Sequence, residues 1–200
     1  MKIKVAKTAG FCFGVNRAVK MTYELLEQGK HVATLGPLIH NPQCVADLQA
    51  RGALTVDAPE QVPEGYELVI RSHGVPRSVY DSIAGHGIAA HDATCPFVSK
   101  IHRIAEQAKE EDALQLVAGD RKHPEVQGIV GHAGERVQVF EGLEDLEKIL
   151  TPEISKNGIF MVAQTTFEVK KWQECVEFTK KLYTNAKIFD TICNATWARQ

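Results

Sequence analysis

The fold is decided by one stretch in the second half of the chain, Leu114-Gln115-Leu116-Val117-Ala118-Gly119-Asp120-Arg121-Lys122-His123-Pro124-Glu125. A short, mostly apolar segment of strand-like composition runs into a glycine and a polar loop, and a proline then opens a helix-like segment. A buried strand followed closely by a helix is the repeating unit of parallel α/β proteins. The stretch therefore predicts a parallel sheet, and it places His123 and Glu125 just beyond the end of a strand.

The same alternation of strand-like and helix-like segments continues along almost the whole chain. Short apolar runs predict strands at residues 3–6, 31–35, 68–72, 88–91, 114–118, 158–163 and 187–190. Helices are predicted at residues 15–28, 42–51, 77–84, 97–110, 124–131, 143–150 and 168–183. Short apolar strands between helices indicate mainly parallel sheets covered on both faces, so the predicted fold class is α/β.

Two internal similarities suggest that the chain contains a repeat. Cys12 precedes Cys95 by 83 residues, and His40 precedes His123 by the same 83 residues. A shorter similarity pairs residues 92–95 with residues 190–193, and it aligns residues 72–74 roughly with residues 164–166. The repeat predicts two related α/β modules, at residues 13–95 and 96–192, whose matching edges face a common centre. Chance similarity is the alternative, because identity between the two copies is low.

Composition narrows the functional class. The net charge of −2 comes without any basic run, which argues against nonspecific nucleic-acid binding. No apolar run approaches the roughly 18 residues that span a bilayer, and the N-terminus lacks the apolar core of a signal peptide. We therefore expect a cytoplasmic protein, in which the five cysteines are reduced thiols, metal ligands or catalytic groups rather than disulfides.

Three of the cysteines stand at comparable places, each close to a strand end or a module edge. Cys12, Cys95 and Cys193 are widely spaced, and the chain has no C-x-x-C pair of the kind that structural zinc sites use. Single thiols at module edges suit a ligand set assembled in space, and three thiolates on an iron–sulfur cluster would leave one iron open. The alternative is that they are small core residues, which is our interpretation of Cys44 and Cys175 inside helices.

Three histidines also occupy equivalent positions. His40, His73 and His123 each follow a predicted strand and each precede a proline closely. Imidazoles combined with helix N-termini suit an anion site at the carboxyl edge of the sheets. The alternative for each is a loop residue bonded to the backbone. That structural interpretation is the one we adopt for the remaining histidines, which are His31, His86, His91, His102 and His132.

Glu125 and Thr166 complete the candidate site. Glu125 lies two residues after His123, where a carboxylate could relay protons or simply favour the positive end of a helix dipole. Thr166 could contact a substrate, or Thr165 and Thr166 could cap the helix predicted near residue 168.

Seven ordered motifs are similar to those of one known family. They are Phe11-Cys12-Phe13-Gly14-Val15, Gly36-Pro37-Leu38-Ile39-His40-Asn41, Arg71-Ser72-His73-Gly74-Val75, Asp92-Ala93-Thr94-Cys95-Pro96, His123-Pro124-Glu125-Val126, Ala163-Gln164-Thr165-Thr166 and Asp190-Thr191-Ile192-Cys193. The family is that of the 4-hydroxy-3-methylbut-2-enyl diphosphate reductases, also called IspH or LytB. The resemblance covers essentially the whole chain.

The resemblance implies a fold and a reaction. Family members are trefoils of three α/β modules around a 4Fe–4S cluster, and they remove the hydroxyl of 4-hydroxy-3-methylbut-2-enyl diphosphate. The products, isopentenyl and dimethylallyl diphosphate, complete the methylerythritol phosphate route to isoprenoids. A ferredoxin- or flavodoxin-like protein would supply the electrons.

The resemblance also implies residue roles. Cys12, Cys95 and Cys193 would ligate the cluster and leave one iron without a cysteine, open to the substrate oxygen as a Lewis acid. His40 and His73 would hold the diphosphate, with His123 beside it. The proton donor would be Glu125, and Thr166 would position the hydroxyl.

One departure from the family pattern concerns the end of the chain. A Ser-x-Asn segment and a further serine of the third module have no counterpart in these residues. Residues 1–12 would form an N-terminal strand belonging with that third module, which residues 193–200 would begin. Two alternatives to the reductase follow: a truncated, non-catalytic fragment that binds a cluster or metal, and a zinc-dependent hydrolase with Glu125 as base.

Overall fold

Two four-stranded sheets form the framework of the protein. The structure is a computed structural model, and it describes residues 3–4, 9–151 and 158–200. Within those ranges the strands are β1 (His31–Leu35), β2 (Leu54–Val56), β3 (Tyr66–Ile70), β4 (Ala90–Asp92), β5 (Leu114–Ala118), β6 (Val137–Phe140), β7 (Ile159–Ala163) and β8 (Ala186–Ile188). The first sheet has the order β2-β1-β3-β4 and the second the order β6-β5-β7-β8. Every pairing is parallel, which confirms the predicted fold class.

Helices connect the strands and cover the sheets. They are α1 (Phe13–Glu27), α2 (Pro42–Ala50), α3 (Arg77–Gly85), α4 (Pro96–Glu110), α5 (Pro124–His132), α6 (Leu143–Ile149), α7 (Val169–Leu182) and α8 (Asn194–Trp197). A short 3-10 helix spans Pro59–Gln61. No helix in the described ranges combines the length and hydropathy needed to cross a membrane.

The two sheets and their helices are copies of one design. The helices α1 and α4 begin at Phe13 and Pro96, and the first central strands begin at His31 and Leu114. Both pairs are separated by the same 83 residues found in the sequence. The register is lost only after the second strand of each copy, because the second copy has a longer connection to its third strand. The predicted repeat is therefore confirmed as two related α/β units, whereas their boundaries at residues 13–95 and 96–192 stay a prediction.

The cores explain why these strands are so apolar. All five residues of β5 and all five of β7 are buried, since helices cover both faces of the second sheet. One face packs around Leu116, Phe140 and Met161, and the other around Val117 and Val162. Burial on both faces removes the alternation expected of a half-exposed strand, which is why continuous apolar runs located these strands correctly.

Sequence patterns misplaced or missed the weaker elements. The strands β2 and β6 were not predicted, because an edge strand that is short or partly exposed has little apolar signal. The strand predicted at residues 68–72 ends at Ile70, since the chain turns out of the sheet toward the cavity described below. In the strand predicted at residues 3–6, Ile3 and Lys4 lie in no regular element, and residues 5–6 fall outside the described ranges.

Candidate functional site

The carboxyl ends of both sheets face one central cavity of about 390 Å³. All eight residues singled out from the sequence line this cavity; they are Cys12, His40, His73, Cys95, His123, Glu125, Thr166 and Cys193. Residues from α1, from both sheets and from α8 thus converge, although they are up to 181 positions apart. Parallel sheets bind ligands at this edge, because the loops that follow their strands project there together.

Each of the three site cysteines precedes a helix. Cys12, Cys95 and Cys193 are the N-cap residues of α1, α4 and α8, and all three are unbridged and half-buried. Two of them are anchored in the same way. The backbone N–H of Cys95 donates to the carbonyl of Ser72 at 3.0 Å, and that of Cys193 donates to the carbonyl of Thr165 at 3.0 Å. The strand ends of the two sheets therefore hold their cysteines at equivalent positions.

The wall around Cys95 leaves no room for an extra carbon. A Cβ added to Gly14 in α1 would lie 2.5 Å from the Sγ of Cys95, so only glycine allows this approach. Burial raises the pKa of the Cys95 thiol, and the neighbouring Cys12 and Cys193 raise it further, whereas the amides of Phe97 and Val98 oppose them. The sulfurs are thus close enough to repel one another as thiolates, a repulsion that a bound cation would relieve.

The three histidines form a compact cluster opposite the thiols. The ring centroids of His40 and His73 are 4.7 Å apart, those of His73 and His123 are 5.4 Å apart, and those of His40 and His123 are 5.6 Å apart. One nitrogen from each ring lies within 4.8 Å of the other two. His40 and His73 come from the first unit and His123 from the second, so the cluster exists only where the units meet.

The environment keeps these imidazoles uncharged in the empty cavity. Burial lowers the pKa of His73 to about 3, and the charges of His40, His123 and Arg71 act in the same direction. The Nδ1 atom of His73 is buried without a hydrogen-bond partner. Burial also lowers the pKa of His123, whose Nδ1 accepts the backbone N–H of Glu125 at 3.1 Å. The neutral His123 ring therefore carries its proton on Nε2.

Glu125 is the most buried ionisable group of the cavity. Its side chain is on α5, and the residue is 2% exposed. The backbone N–H of Thr165 donates to Oε1 at 2.6 Å, and the hydroxyl of Thr165 donates to Oε2 at 2.8 Å. Burial nevertheless raises the carboxyl pKa, because it outweighs these two hydrogen bonds. A carboxyl held in this way can keep a proton at higher pH than an exposed glutamate, which is what an acid catalyst needs.

Thr166 borders the cavity with an exposed side chain. Its hydroxyl accepts a hydrogen bond from the side-chain amide of Gln164 at 3.0 Å, which leaves the hydroxyl proton for another partner. Neither Thr165 nor Thr166 caps a helix, because α7 begins after Glu168 and has no side-chain cap. The capping interpretation of these threonines is therefore wrong.

Sequence reasoning missed the residues that support the site. Arg71 and Gln164 directly follow the equivalent strands β3 and β7, and both pack against the equivalent glycines Gly36 and Gly119. This equivalence shows that Ser72 corresponds to Thr165, one position later than the alignment made from the sequence. Their signal in the sequence was the strand-end position itself, since identical side chains were not required there.

The other cysteines and histidines lie away from the cavity. Cys175 is buried in the core of the second unit, which raises its pKa to about 11, and Cys44 packs in the first unit. None of the five remaining histidines lines the cavity. The interpretation of these residues as structural is consistent with their positions.

Sequence comparison agrees with this arrangement. The model of the LytB protein family matches residues 3–200. A 4-hydroxy-3-methylbut-2-enyl diphosphate reductase of Thermoanaerobacter sp. (strain X514) is 39% identical, and the match covers all of this chain and 69% of the relative. The corresponding reductase of Citrifermentans bemidjiense is 40% identical over 200 residues, again covering 69% of its length.

Solved structures show the same fold. The E-1-hydroxy-2-methyl-but-2-enyl-4-diphosphate reductase of Plasmodium falciparum superposes with a TM-score of 0.88 at 26% identity, covering 96% of this chain and 61% of that one. A second structure, of an (E)-4-hydroxy-3-methyl-but-2-enyl diphosphate reductase described as the terminal enzyme of the non-mevalonate pathway, gives 0.82 at 37% identity, covering 99% and 70%. The chain belongs to the LytB family of 4-hydroxy-3-methylbut-2-enyl diphosphate reductases.

Proposed function

We propose that the cavity of this chain binds and reduces 4-hydroxy-3-methylbut-2-enyl diphosphate with a 4Fe–4S cluster held by Cys12, Cys95 and Cys193. One observation carries the proposal. Three unbridged thiols, a cluster of three imidazoles and a buried carboxyl line the same 390 Å³ cavity, although they come from distant parts of the chain. These are the groups needed to hold a metal cofactor, an anion and a proton side by side.

The thiols suit a cluster better than a single metal ion. Among the described residues, the histidines form the one set of three potential ligand groups whose atoms all lie within 4.8 Å of one another. The three sulfurs are therefore spread more widely than single-ion ligation allows, since sulfurs on one tetrahedral zinc lie roughly 3.8 Å apart. A cluster of several irons bridges such a gap, and three cysteine ligands leave one of four irons open. When bound, it would supply electrons and a Lewis acid.

The histidine cluster is the proposed diphosphate site. His40, His73 and His123 are neutral before the ligand arrives, so they offer N–H donors without the mutual repulsion of three cations. The buried and unpartnered Nδ1 of His73 is satisfied once a phosphate oxygen lies beside it. An arriving anion also favours protonation of these rings, which strengthens each hydrogen bond.

Glu125 and Thr166 act on the hydroxyl of the substrate in this proposal. The reaction breaks the allylic C–O bond, consumes two electrons and two protons, and yields water and a new C–H bond. Glu125 donates the proton that lets the hydroxyl leave as water, because burial favours its protonated form. Thr166 keeps its own hydroxyl proton free to orient the substrate oxygen, since Gln164 donates to it.

Two parts of the proposal concern the surroundings of the protein. The electrons come from a ferredoxin- or flavodoxin-like donor, because no side chain of the cavity is itself a two-electron reductant. The reaction takes place in the cytoplasm, where such donors and reduced thiols coexist.

The proposal is tested on the anaerobically reconstituted chain. We expect about four irons and four sulfides per chain and consumption of the diphosphate substrate by dithionite-reduced protein. Cys95→Ser should lose the cluster, whereas Cys44→Ser, which alters a half-buried thiol away from the cavity, should retain it.

Other outcomes of the same experiment identify the alternatives. Stoichiometric zinc without sulfide would favour a zinc-dependent hydrolase. A normal cluster without turnover would favour a cluster-binding chain that does not catalyse the reaction.

A further inference from the structure

A second polar cluster is buried between the two units, outside the cavity. His102 and Glu106 are on α4, and His132 is the last residue of α5. The two histidines are 5% and 7% exposed, and their rings stack with centroids 4.1 Å apart and planes 19° apart. Buried imidazoles are costly unless they are hydrogen-bonded, so the partners of this pair are informative.

Both ring nitrogens of His132 face acceptors. Its Nδ1 is 2.9 Å from the Oε1 of Glu106, and its Nε2 is 3.0 Å from the carbonyl oxygen of Val75. A carbonyl cannot donate a hydrogen bond, and neither can an ionised carboxylate. Both nitrogens must therefore donate, so His132 is an imidazolium paired with Glu106. Its second bond crosses from the second unit to the first.

The carbonyl that His132 binds belongs to the segment that carries His73. Gly74 lies between the two residues with φ +70°, and a Cβ there would lie 2.5 Å from the Cε1 of His102. A Cβ on Gly128 of α5 would lie 3.2 Å from the Nε2 of His102 and 3.6 Å from the carbonyl oxygen of His73. Residues 73–75 are thus held by His132 at one end and lie directly on His102 and α5.

This contact connects the buried cluster to the anion site. The helix that ends at His132 begins after His123, whose ring is 5.4 Å from that of His73. The hydrogen bond from His132 to Val75 therefore joins the far end of α5 to the segment whose histidine meets the near end. If that bond is lost, residues 73–75 can move away from α5, and the spacing between His73 and His123 is no longer set.

We propose that His132, held as an imidazolium between Glu106 and the Val75 carbonyl and stacked on His102, is a positioning residue that places His73 against His123. Its effect on ligand affinity rests on the proposed role of the histidine cluster as the diphosphate site. The side chain of His132 does not line the cavity, so it acts through residues 73–75 alone.

The test compares three variants of the full chain. His132→Gln removes the charge and one of the two hydrogen bonds. Glu106→Gln keeps the shape of a side chain that is 40% exposed but removes the anion that holds the imidazolium. His91→Gln is the matched control, because His91 forms a similar pair with Glu67 at 2.7 Å on the first sheet, away from the cavity.

Three measurements follow the proposal step by step. Nitrogen-15 spectra of the imidazoles at pH 7 should show both nitrogens of His132 protonated in the wild type and one of them unprotonated in Glu106→Gln. Amide hydrogen exchange of residues 73–75 should accelerate at least tenfold in His132→Gln, while exchange in β5 and β7 stays unchanged. Calorimetric titration with inorganic pyrophosphate should show about tenfold weaker binding for His132→Gln, about threefold weaker binding for Glu106→Gln, and no change for the control.

The outcomes separate the two proposals. A wild type that does not bind pyrophosphate contradicts the anion role of the histidine cluster, and the spectra and exchange rates still decide the role of His132. A neutral His132 ring in the wild type, or exchange at residues 73–75 that is the same in His132→Gln, overturns the inference. Unchanged pyrophosphate affinity in His132→Gln overturns it as well.

Discussion

At the scale of single residues, burial decides which groups of the site carry protons. Glu125 is almost fully buried and holds its proton to a higher pH, although a hydroxyl and an amide both donate to it. His73 is buried too, but burial favours its neutral form and lowers its pKa to about 3. One environment therefore keeps an acid protonated and a base unprotonated, and both are uncharged before the anionic ligand binds.

Glu125→Gln tests the proton donor. The amide has the same shape, its oxygen can accept the N–H of Thr165, and its NH₂ group can donate to the Thr165 hydroxyl, so the variant should fold and bind ligand normally. We expect kcat to fall by about a hundredfold or more while KM changes little, because general acid catalysis contributes 10²–10⁴-fold. Steady-state kinetics of the reconstituted enzyme measures both. A kcat within a few-fold of wild type would exclude Glu125 as the acid.

His102→Phe tests how buried histidines affect stability at low pH. Burial lowers the pKa of His102 to about 3 from its ordinary 6.5, and the charge of His132 acts in the same direction. The folded state thus favours the neutral ring, and the stability that this provides is complete above pH 6.5 and is lost as the pH falls toward 3. Phenylalanine keeps the stacked shape, and the buried Nε2 of His102 has no partner to lose.

The expected result is a shallower pH dependence in the variant. Relative to His102→Phe, the wild type should lose about 1.4 kcal/mol of unfolding free energy per pH unit below pH 6.5. Urea unfolding between pH 7 and pH 5 measures this difference. His86→Gln is the control and should match the wild-type slope, because His86 is exposed and bonds within its own helix. Parallel curves for wild type and His102→Phe would contradict the assignment.

At the scale of elements, the site is built from the starts of helices. Cys12, Cys95 and Cys193 precede three different helices, and His123 is the N-cap of α5, with its own ring accepting an N–H of that helix. The four helix starts lie around one cavity because parallel sheets direct every strand-to-helix turn to the same edge. Close approach of these turns requires small residues, and Gly14 in α1 is the clearest case.

Gly14→Ala tests this close approach. The added Cβ would lie 2.5 Å from the Sγ and 2.9 Å from the Cβ of Cys95, distances at which atoms must move apart. We expect the iron content after reconstitution to fall to less than about half of the wild-type value while the helix content stays normal, since alanine favours helix. Gly85→Ala is the matched control. Nothing lies within 4 Å of a Cβ there, so iron should be unchanged and stability should rise by up to about 1 kcal/mol.

At the scale of the whole molecule, the anion site belongs to neither unit alone. His40 and His73 follow strands of the first sheet, and His123 follows a strand of the second. The two units are in contact through one face of α5, where Gly128 and Gly131 meet the segment that leads into α3. The proposed boundary between the units at residues 95 and 96 places this interface directly beneath the histidine cluster.

Gly131→Ala tests whether the packing of the units sets the site. A Cβ on Gly131 would overlap the ring of Pro76 and lie 2.8 Å from its Cα, which is backbone and cannot rotate away. Overpacking of this kind costs about 1–3 kcal/mol, so the thermal midpoint should fall. We also expect pyrophosphate affinity to fall about threefold to tenfold as the units separate, whereas Gly85→Ala should bind normally. A lower midpoint with unchanged affinity would show that the interface stabilises the fold without positioning the site.

Much of this architecture could be predicted from local patterns. The strands β1 and β5 were predicted without error, because five-residue runs buried on both faces are strongly apolar. The edge strands β2 and β6 were missed, because their partly exposed residues carry no such signal. The eight candidate site residues all line the cavity, since strand-end position and repeated spacing identify residues at the same edge.

The sequence by itself determined the α/β alternation, the repeat and the residues of the site, because these depend on short-range periodicity and on spacing along the chain. Tertiary structure alone decided what those residues can do. It showed that Thr165 holds Glu125, that His73 has no polar partner at Nδ1, and that His132 reaches across to Val75. Burial and hydrogen bonding join segments 40 to 57 residues apart in these contacts, and no local pattern records which distant segments meet.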